Sequence, residues 1–448
     1  MNHWLPRFDL STDDKTLKKM ISTEVPQLVD LGKVPIQVAR MRLESTLKGV
    51  FIPTTQILSL LRAILSIASE HSRKFYPDQR TYSDNLYKID LVANAWLPIC
   101  FTGLAGTGKS EILGALSRIL RFHGETITAE GFPPFPLQLI WAMKMWIRPS
   151  LVDMLRPFLN SIALQGLSNL TLIIKAAAKR SYACGVSLIV VDEFQFVTQS
   201  SDANVKAAQM LMQLTRIGPP LVFAANYSLV HKLMRRPQEE RHRLLSNILV
   251  LRPDPAKSQD WVNTLKGQIN AAPGEFNIDP TNNAEAIHRY TFGIKRLSAD
   301  LLVHAYAHAR ESGNGVARLA DIEWAYKSPE FSLHRNDVEL LMKQTIENQR
   351  GRKDLWCPLP AKAIESNVSE VHPATQEYRQ RINQELLKSS LPPDERKIFE
   401  EIVSSTKPKK AKTASVHPIN RKKLTKENLI EAMDAFTDQS LPPIDTKY

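Results

Sequence analysis

The chain has 448 residues, of which 43% are hydrophobic and 23% are charged. This length is enough for two or three domains, and the composition is that of an ordinary globular protein. Apolar runs are strand-sized or broken by charge, and no basic region precedes an apolar core at the N-terminus, so neither a membrane span nor a signal peptide is predicted. Three cysteines without C-x-x-C spacing favour reduced thiols in a cytoplasmic protein.

The net charge of +12 indicates a polyanionic partner, for which nucleic acid is the first candidate. Part of the excess has a simpler location, because residues 407–423 carry seven Lys or Arg and no acid in a stretch typical of disordered tails. The rest of the chain is still basic.

The N-terminal residues, 1–50, mix charged helical pieces with Pro26 and Pro35. We interpret them as a helical arm that can fold on a partner. From residue 53 to residue 73 the apolar spacing predicts a helix with a broad apolar face, with Thr54 or Thr55 as its N-cap.

A strand, a glycine-rich loop and an amphipathic helix come next, in the order of a phosphate-binding loop. Residues 96–102 form an apolar strand, and residues 103–110 read G-x-x-x-x-G-K-S. Apolar residues then recur at helical spacing until Gly124, which is placed to end the helix. The alternative, a glycine-rich turn with a solvated lysine, does not account for this order.

Each residue of the loop has an expected role. Gly103, Gly106 and Gly108 let backbone N–H groups wrap the phosphates of a nucleotide, and the dipole of the following helix adds positive potential. Lys109 is expected to reach the β- and γ-phosphates, and Ser110 to bind Mg²⁺. The loop is completed by Leu104, Ala105 and Thr107.

An unbroken apolar run at residues 188–191 is followed by Asp192 and Glu193, the pattern of a Walker B strand. Such runs indicate a strand buried on both faces, whose carboxyl end is where ligands bind. Asp192 is expected to hold Mg²⁺ and Glu193 to polarise the attacking water as general base. The alternative is a strand that ends in two solvated acids.

Residues 221–225 form a third buried strand, which Asn226 ends. A polar side chain here can orient the nucleophilic water, and the alternative is an Asn chosen for a turn.

Four arginines precede a further strand at 247–251; of these, Arg243 and Arg241 are the preferred candidates for an arginine finger that reaches the neighbouring subunit's γ-phosphate. A solvated basic face is the alternative for all four.

Residues 256–335 have helical periodicity and the size of a small lid. Residues 293–296 open one of its helices, and Arg296 is a candidate to contact the γ-phosphate from the lid, with a surface Lys-Arg pair as the alternative. Residues 336–448 are charged and contain many prolines, so we interpret them as a tail. Residues 429–436 give one short amphipathic turn, which is either a docking peptide or a casual helical segment.

The segment 185–195, GVSLIVVDEFQ, resembles the Walker B region of transposition-regulator ATPases of the TnsC/TniB type, a branch of the AAA+ ATPases. Similar features are residues 138–141, the stretch from 211 to 221, Trp261 and residues 290–294. The resemblance covers roughly residues 50 to 330 and implies an α/β nucleotide-binding domain at 51–255 with a helical lid at 256–335.

This resemblance also implies a function. It implies an ATP- and Mg²⁺-dependent ring or helical filament of the protein with itself on duplex DNA, which links a target-selection protein to a transposase. DNA would be contacted by the insert between the two Walker motifs, for which Lys144, Arg148 and Arg156 are candidates, with ordinary surface charge as the alternative. Two other functions stay open, namely a replication initiator or helicase loader, and a nucleotide-gated scaffold whose hydrolysis is incidental.

Overall fold

A five-stranded parallel sheet forms the centre of the structure, a computed structural model. The described residues are 8, 14–23, 25–88, 96–120, 125–132, 134–144, 150–159, 169–194, 203–347 and 351–359, all within one unit that spans residues 1–370. The strands of this sheet are β1 (Ile99–Gly103), β4 (Ile140–Lys144), β5 (Leu188–Asp192), β6 (Leu221–Ala225) and β7 (Asn247–Leu251), while β2 (Thr126–Ile127) and β3 (Phe135–Pro136) form a separate antiparallel pair. The order of the strands in the sheet is β4-β5-β6-β1-β7.

Helices cover both faces of the sheet, which explains why its inner strands are apolar without alternation. Ile99 and Phe101 of β1 pack with the first group of helices, whereas Cys100 between them packs with the second. The first group comprises α1 (Asp14–Ile21), α3 (Thr55–Phe75), α4 (Gln79–Leu86) and α5 (Lys109–Ile119). The second comprises α6 (Leu151–Leu155), α7 (Leu170–Ala183), α8 (Ala203–Thr215), α9 (Tyr227–Met234) and α10 (Gln238–Leu245).

The predicted α/β phosphate-binding-loop fold is therefore confirmed, with small shifts at element ends. The first strand begins at Ile99 rather than at Trp96, and it includes Gly103. Thr54 is the N-cap of α3, since its Oγ1 accepts a hydrogen bond from the Ile57 amide at 3.4 Å. The helix after the loop ends at Ile119, and the predicted stop at Gly124 lies outside the described residues.

A second core is helical and follows the sheet. It contains α11 (Gln259–Asn270), α12 (Ala284–Thr291), α13 (Lys295–Glu311), α14 (Leu319–Lys327) and α15 (Ser332–Glu347). The boundary expected at residue 335 falls inside α15, because Val338 and Leu341 of this helix are buried in the same core. Because the other faces of α15 are polar, the sequence pattern assigns most of this helix to the C-terminal tail.

The described part of the N-terminal arm packs on the chain itself. Helix α1 contacts α3 and α5, and α2 (Ile36–Gly49) contacts α13 of the helical core. Arg310 donates hydrogen bonds to the carbonyl oxygens of Leu31 and Val34, at 2.8 and 3.2 Å. The arm thus connects the sheet domain with the helical core.

No helix among the described residues is long and apolar enough to cross a membrane. The basic run at 407–423 and the amphipathic segment at 429–436 lie outside the described residues.

Candidate nucleotide-binding site

The loop between β1 and α5 has the backbone of a phosphate cradle. Gly106 and Gly108 have φ angles of +80° and +105°, in a region that residues with a side chain rarely adopt. Gly103 is required for a different reason, since a Cβ there would collide with the carbonyl oxygen of Leu251 on β7. The three glycines therefore serve conformation at two positions and close strand packing at the third.

Lys109 is the first residue of α5, and its side chain folds back over the loop. Its Nζ donates to the carbonyl oxygens of Gly103 and Leu104, at 3.0 and 2.7 Å. Burial lowers the pKa of Lys109 to about 8, the charges of Glu193 and Asp192 act in the opposite direction, and Arg296 adds a smaller lowering. The amine is thus poised to gain a proton when an anion arrives.

This pKa predicts that nucleotide binding takes up protons near pH 8. Phosphate oxygens favour the charged amine, so its pKa rises in the complex and the half-protonated Lys109 of the free protein becomes fully protonated. We expect about half a proton to be taken up per nucleotide at pH 8 and almost none at pH 6. Calorimetry in buffers of different ionisation enthalpy measures this number, and equal uptake at both pH values would contradict the assignment.

Asp192 and Glu193 lie at the same edge of the sheet as the loop, because β5 is separated from β1 only by β6 and all three strands are parallel. Glu193 has a φ of 58°, which is unusual for a residue with a side chain, and its amide donates to Asp192 Oδ1 at 2.8 Å. Strained backbone of this kind is often found where a functional side chain needs one particular orientation. The hydrogen bond and the backbone conformation thus orient Asp192 and Glu193 relative to each other.

Two oxygen groups at this edge fit the chemistry of Mg²⁺. The Ser110 hydroxyl is on the second residue of α5, and the Asp192 carboxylate is on the last residue of β5. Mg²⁺ is usually held by one or two protein oxygens together with phosphates and water. The ion would supply charge neutralisation at the phosphates.

Asn226 follows β6, the strand between the loop and the acids. Its Oδ1 accepts from the Leu229 amide at 2.9 Å, so it is the N-cap of α9. That bond is what a turn-forming Asn requires, and it leaves the side-chain NH₂ as a donor at the carboxyl edge of the sheet. Its role toward the nucleophilic water stays a prediction.

Arg296 lies against the phosphate-binding loop, as part of the first turn of α13. Its backbone amide donates to the carbonyl oxygen of Gly106 at 3.1 Å, and a Cβ on Gly106 would lie 2.9 Å from that of Arg296. Sequence patterns gave no sign of this main-chain contact. Lys295 beside it forms an ion pair with the buried Asp254 at 3.4 Å, and burial raises the pKa of that carboxyl.

Replacing Arg296 with alanine is expected to slow hydrolysis more than it weakens binding. A positive group that meets charge developing at the γ-phosphate acts mainly in the transition state, and losing one such group costs roughly a hundredfold in kcat. The control is Lys266→Ala, an exposed position on α11. Steady-state kinetics separate the effects, and an unchanged kcat would remove Arg296 from the site.

The two arginines expected to act in trans are both on α10. Arg243 pairs with Glu239 at 2.7 Å and is 54% exposed, and Arg241 is half-buried. Both border a cavity of about 530 Å³, which Met234, Leu245 and Ile248 also line. Leu97, which precedes β1, lines the same cavity, whereas the loop follows the other end of β1, so any contact of these arginines with a nucleotide would be with another subunit's.

The three DNA-contact candidates are not brought together by the described structure. Lys144 ends β4, in register with Asp192 of β5. Arg156 begins a short 3-10 turn after α6 and pairs with Asp153 at 3.2 Å. Arg148 lies outside the described residues, so the predicted pore stays a prediction.

No protein-family model matches the chain, and no curated protein matches it in sequence. Similar solved structures include Cdc6p of Pyrobaculum aerophilum, at 14% identity over 67% of this chain and 85% of that chain, with a TM-score of 0.37. The Aeropyrum pernix ORC1 protein in complex with DNA has 15% identity over 79% and 82%, with a TM-score of 0.39. Domain III of the Thermotoga maritima replication initiation protein DnaA has 12% identity over 62% and 93%, with a TM-score of 0.37. These values are too low to assign a family, and the phosphate-binding-loop fold rests on the sheet and loop described above.

Proposed function

We propose that the chain is an ATPase of the AAA+ type that assembles on duplex DNA and regulates transposition. The observation that carries the ATPase part is the meeting of three elements at one edge of the sheet, namely the loop with Lys109, the Asp192-Glu193 pair, and Arg296 from the helical core. The groups are close enough to interact electrostatically, because the carboxylates of Glu193 and Asp192 raise the pKa of Lys109 and Arg296 lowers it. Such an arrangement suits phosphoryl transfer to water.

The proposed reaction is hydrolysis of the bond between the β- and γ-phosphates. Glu193 accepts a proton from water as the water oxygen bonds to the γ-phosphorus, and the bond to the β-phosphate oxygen breaks to release ADP. Lys109 and Arg296 balance the charge that develops on the phosphate oxygens. Mg²⁺ held by Ser110 and Asp192 would neutralise further charge.

The proposed assembly couples nucleotide to subunit contacts. A nucleotide bound between two subunits stabilises the assembled state by its differential affinity for that state, and hydrolysis withdraws this stabilisation. A ring or filament on duplex DNA that dissolves on hydrolysis can connect a target-selection protein with a transposase for a limited time. The transposition part of the proposal is supported by the sequence resemblance.

Arg243 or Arg241 is expected to complete the site of the neighbouring subunit. An arginine in this position is worth about 10³–10⁵ in kcat, so Arg243→Ala or Arg241→Ala protein alone should turn over slowly. Mixing it with Glu193→Gln subunits should restore part of the activity, because each partner supplies what the other lacks. Turnover of the mixture equal to the sum of the separate proteins would remove that arginine from the proposal.

A replication initiator or helicase loader is the second candidate within this class. An initiator selects one DNA sequence, whereas contacts made mainly to phosphates are sequence-tolerant and salt-dependent. Binding of the protein with a non-hydrolysable ATP analogue to several unrelated duplexes separates the two. Equal affinities support the transposition regulator, and a strong preference for one duplex would favour the initiator.

A further inference from the structure

A basic groove lies along α9, outside the candidate nucleotide site except at one end. It has a volume of about 1050 Å³ and is formed by α9, by the segment 351–354 and by Val205 of α8. In the part of the chain that the structure describes, its cationic lining residues are Lys232, Arg235, Arg236, Arg352 and Lys353, and its single acidic lining residue is Asp354. We propose that this groove binds the phosphodiester backbone of duplex DNA.

Four of the five positive groups of the groove form two pairs with different surroundings. Arg235 and Lys353 are exposed, and within the described part of the chain neither forms an ion pair with a carboxylate. Arg236 and Arg352 are instead held in place. Glu240 binds Arg236 through two hydrogen bonds of 2.8 and 3.0 Å, and Asp354 binds Arg352 through two of 2.8 and 2.7 Å. The ion-paired arginines shape the groove, and Arg235 and Lys353 are available to bind an anion.

Neutral donors extend the same surface. Asn226 and Ser228, at the N-terminal end of α9, line the groove, and the Asn226 side chain retains its NH₂ group as a donor. The far wall is fixed to α9 by a hydrogen bond of 3.0 Å between His231 Nε2 and the carbonyl oxygen of Trp356. The two walls are therefore joined, and the groove is formed before any ligand arrives.

The lining chemistry favours phosphates over an acidic protein segment. Protein interfaces have an apolar or aromatic centre, whereas Val205 is the only large apolar residue in the described lining of this groove. Among the described residues no Phe, Tyr or Trp lines it, so they supply no stacking platform of the kind that single-stranded bases need. Arg and Lys with amide and hydroxyl donors are the usual partners of a duplex backbone.

The position of the groove can couple DNA binding to nucleotide hydrolysis through Asn226. Asn226 is at its end and follows β6, which pairs directly with the loop-bearing strand β1. A backbone phosphate near Asn226 would therefore act on the same side chain that is a candidate to orient the nucleophilic water. This inference rests on the proposed DNA-binding function and assigns a phosphate-contact surface to it.

The test is a salt series of duplex binding by fluorescence anisotropy, with the full chain and a non-hydrolysable ATP analogue. The variant Arg235→Glu/Lys353→Glu is compared with Arg42→Glu/Lys266→Glu, which makes the same charge change at exposed positions on α2 and α11. Two lost phosphate contacts should flatten the slope of log K against log salt by about 2, and lower the affinity roughly tenfold or more at low salt. The control pair should keep the wild-type slope. The neutral pair Arg235→Ala/Lys353→Ala repeats the comparison with less perturbation, and circular dichroism verifies folding.

The other outcomes separate the groove from the general function. If the wild type binds DNA and both groove variants behave like the control, the groove is not the contact surface, although the DNA-binding function stands. If the wild type does not bind DNA at low salt, the proposed function itself fails. If polyglutamate of equal charge displaces the duplex as well as unlabelled DNA does, the groove recognises acidic polypeptide and the phosphodiester assignment is overturned.

Discussion

Lys109→Ala is expected to weaken nucleotide binding strongly and to impair every step that depends on it. In the free protein the amine lies over the loop, bonded to the carbonyl oxygens of Gly103 and Leu104. Removing a charged, hydrogen-bonded contact from such a site costs about 2–5 kcal/mol, so the Kd for ATP should rise about thirtyfold to several thousandfold. Isothermal titration measures this change directly.

We expect the loss of ATP affinity without unfolding of the variant, because burial of the Lys109 amine does not favour the folded state at neutral pH. The pKa of Lys109 is about 8 in the folded protein, below its unfolded value, so burying the charged amine costs stability at neutral pH and this cost disappears as the pH rises above 8. Alanine removes this cost together with the two hydrogen bonds of the amine, and because the two effects oppose each other, the nucleotide-free variant should be about as stable as the wild type at pH 7. Lys266→Ala is the matched control. Normal ATP affinity in Lys109→Ala would mean that the loop does not bind phosphate.

Glu193→Gln is expected to block hydrolysis while nucleotide binding persists. A general base contributes about 10²–10⁴ in rate, and glutamine keeps the size of the side chain but cannot accept the proton. The left-handed backbone at this position is equally costly for both residues, so the local fold should be retained. Steady-state kinetics should therefore show a loss of kcat, whereas titration with ATP should give the Kd of the wild type.

The same variant distinguishes a machine from a scaffold. A scaffold keeps its biological activity in the ATP-bound trap, whereas a regulator that must release its partners loses it. Glu285→Gln, an exposed acid on α12, is the control. If Glu193→Gln keeps its turnover, Glu193 is not the general base and another residue has that role.

Much of the site could be predicted because its determinants are local in sequence. The G-x-x-x-x-G-K-S loop needs left-handed glycines at Gly106 and Gly108, and these leave a clear pattern. The apolar runs of β5 and β6 likewise report burial on both faces, so the position of Asp192 and Glu193 at the loop edge follows from parallel topology.

Contacts between distant segments left no such pattern. The bond between the Arg296 amide and Gly106 is made by backbone atoms, which every residue type carries. Helix α15 is mostly polar by composition, and the groove wall at 351–354 is held by ion pairs such as Arg352 with Asp337, at 2.8 Å. The residues that meet in these contacts are far apart in the sequence, so the contacts can be identified only from the folded structure.

Electron microscopy of the protein with duplex DNA and a non-hydrolysable ATP analogue tests the central claim most directly, beside samples that lack nucleotide or DNA. We predict rings or helical filaments around the duplex only when both are present, with nucleotide between Lys109 of one subunit and α10 of the next. Monomers in every sample would contradict nucleotide-gated assembly and would leave an ATPase that needs another protein to assemble.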